Sequence, residues 1–188
     1  CVGGGSDCTG GSPGDVSVDG HGTPSAAILV ANRTEWPRFR GVTGAKLDAF
    51  RVYAVPVGSA QPKLVVSAVL RGFETATSML DRVVVAEMQD NSPDAAAIGD
   101  AADKAFASGA TIIAANGDLQ WVPANGLSNP AHARRVIGVG AWDLTGQALD
   151  PNTSYGATAD LRNKPDLLAP SGTETAGASA DDANTYHG

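Results

Sequence analysis

Short apolar runs alternate along this chain with segments whose apolar residues recur at helical spacing. The run Val83-Val84-Val85 has the β-branched composition of a buried strand, and the alanine-rich segment at 94–108 has the periodicity of a helix that Gly109 would cap. We expect strands at residues 45–55, 82–88, 110–115 and 135–142, and helices at residues 24–31, 62–77 and 94–108. Residues 143–188 are expected to form loops with short extended pieces. Strands that alternate with helices predict an α/β fold, three-layered, with a mainly parallel central sheet and helices on both faces.

The bulk composition fits one folded domain and argues against two classes of partner. The chain has 188 residues, of which 43% are hydrophobic and 18% are charged, and this is enough to bury a core. Its formal net charge is -7 and no basic patch is visible, so nucleic acid is not expected as a partner. No apolar run has the length of a membrane span, so no membrane partner is expected either.

A histidine between two glycines is the strongest single indication of chemistry. The segment Asp19-Gly20-His21-Gly22-Thr23-Pro24 precedes a predicted helix, with Thr23 as its N-cap and Pro24 at its first position. His21 is thereby placed at a turn before a helix N-terminus, where an imidazole can act as a general base on a hydroxyl nucleophile. A histidine in such a turn can equally have a purely structural role.

Polar residues follow two of the predicted strands. The segment Met88-Gln89-Asp90 comes after one strand, and Asn116-Gly117-Asp118 comes after another. In a mainly parallel sheet, functional groups gather at the carboxyl ends of the strands. Both segments are therefore candidates for a functional site, although polar loops at strand ends are also ordinary surface.

Two cysteines, Cys1 and Cys8, lie close together in a glycine-rich segment. A disulfide between them would close a small loop and would indicate an oxidising compartment. The alternative is a pair of free thiols, and the sequence leaves both open. Their spacing is not that of a zinc site, and no metal-ligand set is predicted.

The order of these segments resembles that of the subtilisin-like serine peptidases, the subtilases. Asp19–Thr23 resembles the family's catalytic-histidine motif, and Gly41–Val52 resembles the segment that leads into the next core strand. Ala102–Asp118 is similar to the helix and strand before the oxyanion residue, and Lys164–Pro170 is similar to the family's Lys-Pro-Asp-Ile-x-Ala-Pro segment. Because the resemblance runs across nearly the whole chain, we expect residues 1–188 to form a single peptidase domain, incomplete at both ends.

The resemblance implies a Ser-His-Asp triad of which this chain carries the histidine, His21. The family's aspartate stands in an apolar strand, and no such strand precedes Asp7, so we expect the orienting carboxylate upstream of Cys1. The family's serine stands in a Gly-Thr-Ser motif soon after the Lys-Pro-Asp segment. Gly188 matches the glycine of that motif, and His187 is then a linker residue. Complementary N-terminal and C-terminal segments are therefore expected as partners, and this chain alone is expected to be inactive.

The resemblance also assigns the oxyanion and substrate-binding segments. A gapless match places Asp118 where the family usually has asparagine, whereas a small slip would place Asn116 there, and we favour Asp118. A protonated Asp118 can donate to an oxyanion and an ionised one repels it, so activity would fall as the pH rises. Met88, Gln89 and Asp90 align with the strand end that pairs with a peptide substrate. Calcium is implied as a cofactor by the resemblance only, without a ligand cluster in the sequence.

The leading hypothesis is therefore a secreted, subtilisin-like serine endopeptidase that hydrolyses polypeptides. The alternative is a degenerate, non-catalytic subtilase fold that serves as a binding or assembly module. An aspartate in the oxyanion position favours this alternative, and the intact Gly-His-Gly-Thr motif disfavours it. A small-molecule α/β hydrolase is a weaker alternative, because no Gly-x-Ser-x-Gly elbow lies between a predicted strand and a helix.

Overall fold

A computed structural model describes residues 21–31, 40–59, 62–118, 128–176 and 183–186. The chain divides into two compact units, each of which is described by itself. One unit comprises residues 1–65 and 172–187, and the other comprises residues 66–171 and 188. Among the described residues, no helix is long and apolar enough to cross a membrane.

Three helices and eleven strands are found in the described ranges. In chain order they are α1 (Gly22–Val30), β1 (Tyr53–Ala54), β2 (Lys63–Leu64), α2 (Val66–Ser78), β3 (Val83–Ala86), α3 (Ala95–Ala107), β4 (Thr111–Ala115), β5 (Val136–Asp143), β6 (Ala148–Leu149), β7 (Gly156–Ala157), β8 (Asn163–Lys164), β9 (Leu167–Ser171), β10 (Thr173–Ala176) and β11 (Ala183–Tyr186). The predicted second and third helices and the three later strands are confirmed with boundaries shifted by a few residues. The short strands after residue 143 confirm the prediction of loops with extended pieces.

A parallel sheet of β3, β4, β5 and β9 is the core of the unit of residues 66–171. Ile113 of β4 pairs with Val85 on β3 and with Ile137 on β5. Val139 of β5 pairs with Leu167 on β9, and β6 pairs antiparallel with the end of β5. These pairings confirm the predicted α/β class and the mainly parallel central sheet.

Helices α2 and α3 pack against each other. Their buried positions recur at helical spacing and are Ala68, Val69, Gly72, Phe73 and Ala76 on α2 and Ala95, Ile98, Gly99, Ala102 and Ala105 on α3. Helix α3 also packs against β4 and β5. Helix α3 ends as predicted, because Gly109 adopts a positive φ of 104° just after it.

The first helix begins two residues earlier than predicted. It starts at Gly22 with His21 in the N-cap position, at φ -58° and ψ -40°, so the prediction of Thr23 as the N-cap is wrong. Pro24 is the third helical residue instead of the first. Proline is tolerated there because the first four N–H groups of a helix have no partner within it.

The strand predicted at residues 45–55 is reduced to Tyr53–Ala54, which pairs antiparallel with Lys63–Leu64. Two apolar residues of this segment, Leu47 and Phe50, are three residues apart and so would fall on opposite faces of a strand. Leu47 is 38% exposed, and the residues between it and Tyr53 pair with no strand in the described part of the chain.

The carboxyl end of α1 is capped by a later segment of the chain. The backbone N–H groups of residues 41–43 donate to carbonyl oxygens at the end of α1 at 2.8 to 3.0 Å. These carbonyls have no partner within the helix. Gly41 lies so close that a Cβ on it would be 2.6 Å from Ala31 N. Near the other end of α1, the Thr175 hydroxyl of β10 donates to Pro24 O at 3.2 Å.

We expect Gly41→Ala to lower the free energy of unfolding by about 1–3 kcal/mol, because the new methyl group meets helix backbone that cannot move aside. Gly44→Ala is the matched control, since a Cβ at Gly44 would have no neighbour within 4 Å. Urea unfolding followed by circular dichroism measures both variants. Equal stability of the two variants would contradict the close approach of Gly41 to α1.

Candidate functional site

The polar segments that follow β3 and β4 lie at one edge of the parallel sheet. Because the two strands pair in parallel, their carboxyl ends meet at the same edge. Residues 88–90 follow the first strand and residues 116–118 follow the second. The side chains of Gln89 and Asp118, 29 positions apart, are hydrogen-bonded and so join the two segments.

Asn116 is buried, and its side-chain amide is used inside the protein. The residue is 1% exposed. Its Nδ2 donates to Ser154 O at 2.6 Å, and its main-chain N–H donates to Val139 O at 2.9 Å. Its Oδ1 is also buried and accepts no hydrogen bond from the described residues. Asn116 therefore ties the end of β4 to β5 and to the loop that contains Ser154.

Gly117 occupies a position that other residues would fit poorly. Its φ is 104°, in the region that favours glycine, and its carbonyl accepts the Ser154 N–H at 2.7 Å. A Cβ at Gly117 would lie 2.6 Å from Gln89 Oε1 and 3.0 Å from Ser154 Oγ. The backbone at this point is therefore packed directly against polar side chains.

Asp118 is exposed and is held by Gln89 at the same edge. Gln89 Nε2 donates to Asp118 Oδ2 at 3.2 Å, and the Asp118 N–H donates to Gln89 Oε1 at 3.3 Å. The Ser128 hydroxyl donates to the same Oε1 at 3.2 Å. Of the two oxyanion candidates, Asp118 is thus the one whose side chain reaches the surface.

The three predicted substrate-binding residues differ in what they contact. Met88 is 7% exposed and belongs to the core, whereas Gln89 holds Asp118. Asp90 exchanges two main-chain hydrogen bonds with Asn129, at 3.1 and 2.9 Å. The Asp90 carboxylate accepts from the N–H and the hydroxyl of Ser92, at 2.8 and 2.9 Å. The main-chain groups of Asp90 are therefore already paired within the chain.

His21, the predicted general base, stands at the start of α1 and is exposed. The Ser25 hydroxyl donates to the His21 carbonyl oxygen at 3.1 Å, which supports the first turn of the helix. His21 and Asp118 belong to different units, and each is described within its own.

Several predicted residues lie outside the described ranges. They are Cys1 and Cys8 of the expected disulfide, Asp7, His187 and Gly188. Within the ranges that the structure describes, no group of three His, Cys, Asp or Glu side chains converges in a way that could hold a metal ion.

Sequence reasoning missed Ser128 and Ser154, which support the site. Ser128 reaches Gln89 from 39 positions away, and Ser154 reaches Asn116 from 38 positions away. Ser154 ends the sequon Asn152-Thr153-Ser154, which says nothing of this contact, and no local signal indicates either contact.

A cavity of about 440 Å³ lies elsewhere, beside the amino ends of β5 and β9. Its basic side chains are mostly paired with carboxylates: Arg134 and Arg162 with Asp160, and Lys164 with Asp166. Hydrogen bonds, first of all from Arg162, hold the pKa of the Asp160 carboxyl group well below its usual range. None of the predicted site residues lines this cavity.

Comparison with known proteins identifies a family and a set of similar folds. The model of the subtilase family matches residues 6–188. No curated protein gives a match. Sphericase has a TM-score of 0.63 and 18% identity over 92% of this chain. An epidermin leader peptide processing serine protease from Staphylococcus aureus has a TM-score of 0.62 and 20% identity over 81% of this chain.

A third structure, a psychrophilic protease, has a TM-score of 0.50 and 21% identity over 65% of this chain. At these identities the likeness shows a shared subtilisin-like α/β fold. The matches cover 59%, 40% and 43% of the three solved chains, in the order given, so this chain spans only part of their length.

Gly117→Ala is expected to destabilise the protein more than Gly109→Ala does. Both glycines have a φ of 104°, so each alanine carries the same backbone strain of about 1–2 kcal/mol. A Cβ at Gly109 has no neighbour within 4 Å, whereas the one at Gly117 meets Gln89 and Ser154. Thermal and urea unfolding measure the loss of stability in each variant. The difference between the two losses is the cost of the crowded Cβ at position 117, which we expect to be about 1–3 kcal/mol. Equal losses would show that the contacts around Gly117 are not formed.

Proposed function

The chain belongs to the subtilase family, and from that premise we propose that it is part of a secreted serine endopeptidase that hydrolyses polypeptides through a Ser-His-Asp triad. His21 is the proposed base, and Asp118 is the proposed oxyanion group. The observation that supports this most directly is the family match, which spans both the Gly-His-Gly-Thr motif at the start of α1 and the segment after β4. Residues 1–188 would form one peptidase domain with the complementary segments.

The remaining members of the triad would come from those segments. The chain contains no Gly-Thr-Ser. We infer a preceding segment with the aspartate and a following segment with the serine. One feature of the fold supports the second: β11, which ends at Tyr186, pairs with β10, and Thr175 of β10 is bonded to Pro24 in the first turn of α1. A segment that follows Tyr186 and contains the serine would therefore start close to the first turn of α1, next to His21.

In the proposed reaction, His21 takes the proton of the serine hydroxyl as its oxygen attacks the peptide carbonyl. His21 then returns the proton to the leaving amine. His21 is exposed at the start of α1, where a serine and a peptide can reach it. The negative charge that develops on the carbonyl oxygen needs hydrogen-bond donors, each contributing about 3–4 kcal/mol to the transition state.

Asp118 fits the role of such a donor better than Asn116 does. The Nδ2 group of Asn116 is held by the Ser154 carbonyl in the interior, so moving it to a substrate would cost a buried hydrogen bond. The carboxyl group of Asp118 is at the surface and can donate when it is protonated. We therefore keep Asp118 as the oxyanion group and regard Asn116 as its support.

A peptide substrate would lie along the segment at 88–90 as an added strand. Because the main-chain groups of Asp90 are paired with Asn129, the substrate would have to use the main chain of Met88 or Gln89. The polar side chains of Gln89 and Ser128 would face the substrate residues nearest the scissile bond.

A non-catalytic binding module is the second candidate. It is favoured by an aspartate in the position where the family usually has asparagine, Asp118, whose side chain is exposed. Labelling with a fluorophosphonate, followed by peptide mass spectrometry without prior denaturing separation, separates the two candidates. A labelled serine in a co-purifying segment supports the peptidase, and the absence of both label and segment supports the binding module.

His21→Ala is expected to lower kcat about a million-fold in the protein assembled with its complementary segments, because the base is lost. Hydrolysis of fluorescein-labelled casein measures this, and residues 1–188 alone are expected to give no hydrolysis. His132→Gln is the matched control. His132 Nε2 accepts the Ala159 N–H at 3.3 Å, and glutamine keeps an acceptor there. Full activity of His21→Ala would remove the histidine from the mechanism.

Asp118→Asn is expected to abolish the loss of activity at high pH. The carboxyl group of Asp118 donates only when it is protonated, so the wild-type activity should fall as the pH rises, whereas an amide donates at any pH. The measurement is kcat against pH with the same casein substrate. If the two proteins share one pH profile, Asp118 does not contact the oxyanion.

A further inference from the structure

The Gln89 side chain contacts Asp118 at two points. One bond, at 3.2 Å, goes from Nε2 to the carboxylate oxygen Oδ2, and the other, at 3.3 Å, goes from the Asp118 N–H to Oε1. A single amide thus binds both the side chain and the main chain of one residue. Paired bonds of this kind fix relative geometry more closely than one bond does.

Ser128 fixes which way the Gln89 amide points. Its hydroxyl donates to Oε1 at 3.2 Å, so this oxygen accepts two hydrogen bonds. Reversing the amide would set its NH₂ group against the Asp118 N–H and would leave the carboxylate without that donor. Gly117 has no side chain and leaves the space in which Oε1 lies. The contacts around the amide therefore admit one orientation.

Two of the described side chains near this pair, Ser128 and Ser154, are neutral. The Asp90 carboxylate of the same segment as Gln89 accepts from Ser92. No cation of the described residues forms an ion pair with Asp118. The Gln89 amide is thus the partner that governs where the Asp118 carboxyl group lies.

We propose that Gln89 is a positioning residue for the oxyanion group. The inference rests on the proposed function of Asp118. Because Nε2 donates to Oδ2, a proton bound by Asp118 is directed to Oδ1, whose O–H remains available for the substrate oxygen. Gln89 therefore aligns the donor with the substrate oxygen.

The test uses Gln89→Leu and Gln89→Glu in the assembled protein, with fluorescein-labelled casein as substrate. Gln89→Leu removes both contacts, so kcat should fall about 10-fold to 100-fold with little change in KM, as expected for a misplaced group. Gln89→Glu keeps an acceptor for the Asp118 N–H but has no donor for Oδ2, so it should also lower kcat.

Gln147→Leu is the matched control. Gln147 is exposed in the turn between β5 and β6 at a φ of 49°, and leucine already occurs at a similar φ at Leu80 and Leu161. Its kinetics should be those of the wild type. Unchanged kcat in Gln89→Leu would overturn the positioning role.

Hydrogen exchange of the Asp118 amide, measured by NMR, tests the contact without activity. Loss of the Oε1 acceptor should speed exchange in Gln89→Leu and not in Gln147→Leu. Unchanged exchange would show that the contact is not formed and would overturn the inference, whatever the kinetics. A different result is faster exchange in Gln89→Leu together with a wild-type protein that never hydrolyses casein or reacts with a fluorophosphonate. It would overturn the proposed function, and the positioning role with it.

Discussion

The pairing of β4 between β3 and β5 determines where the polar segments at 88–90 and 116–118 lie. Ile112 and Ala114 of β4 are 0% and 1% exposed, because alternate side chains of the strand are buried in the core. A shift of one residue would turn these side chains to the other face and expose them, so burial fixes the register. Since the register is fixed, the residues after β3 and β4 meet at one edge. The position of the polar residues is thus a consequence of apolar packing.

A buried amide then fixes the chain beyond the end of β4. Leaving a polar side chain in the interior is costly unless it is hydrogen-bonded. The Nδ2 of Asn116 meets this need by binding Ser154 O, and Ser154 N–H in turn binds Gly117 O. The Thr153 hydroxyl accepts the Ala141 N–H of β5 at 2.6 Å. The loop around Ser154 is therefore hydrogen-bonded to the segment after β4 and to β5. The backbone that leads to Asp118 thus has little conformational freedom.

The sequence predicts those parts of the fold that depend on local pattern. The β-branched runs of β3 and β4 and the alanine-rich α3 were located because burial imposes their composition. The strand predicted at residues 45–55 is reduced to Tyr53–Ala54, because a few apolar residues without regular alternation do not define a buried face. The contacts of Gln89 with Asp118 and Ser128 could not be predicted, because they join residues 29 and 39 positions apart. The sequence predicts that the candidate functional residues lie at the strand ends, but only the structure shows which of their side chains are in contact.

The proposed oxyanion role of Asp118 requires a partner that does not keep its carboxyl group ionised. A lysine or arginine would bind the carboxylate strongly and would favour the form that cannot donate. A neutral amide can bind both forms, because the oxygen that accepts from Nε2 is present whether or not the other oxygen carries a proton. Gln89 meets this requirement, and the structure shows it bonded to Asp118 Oδ2. In a binding module the same amide would hold an ionised carboxylate as a fixed surface charge. The contact between Gln89 and Asp118 is therefore compatible with both proposed functions.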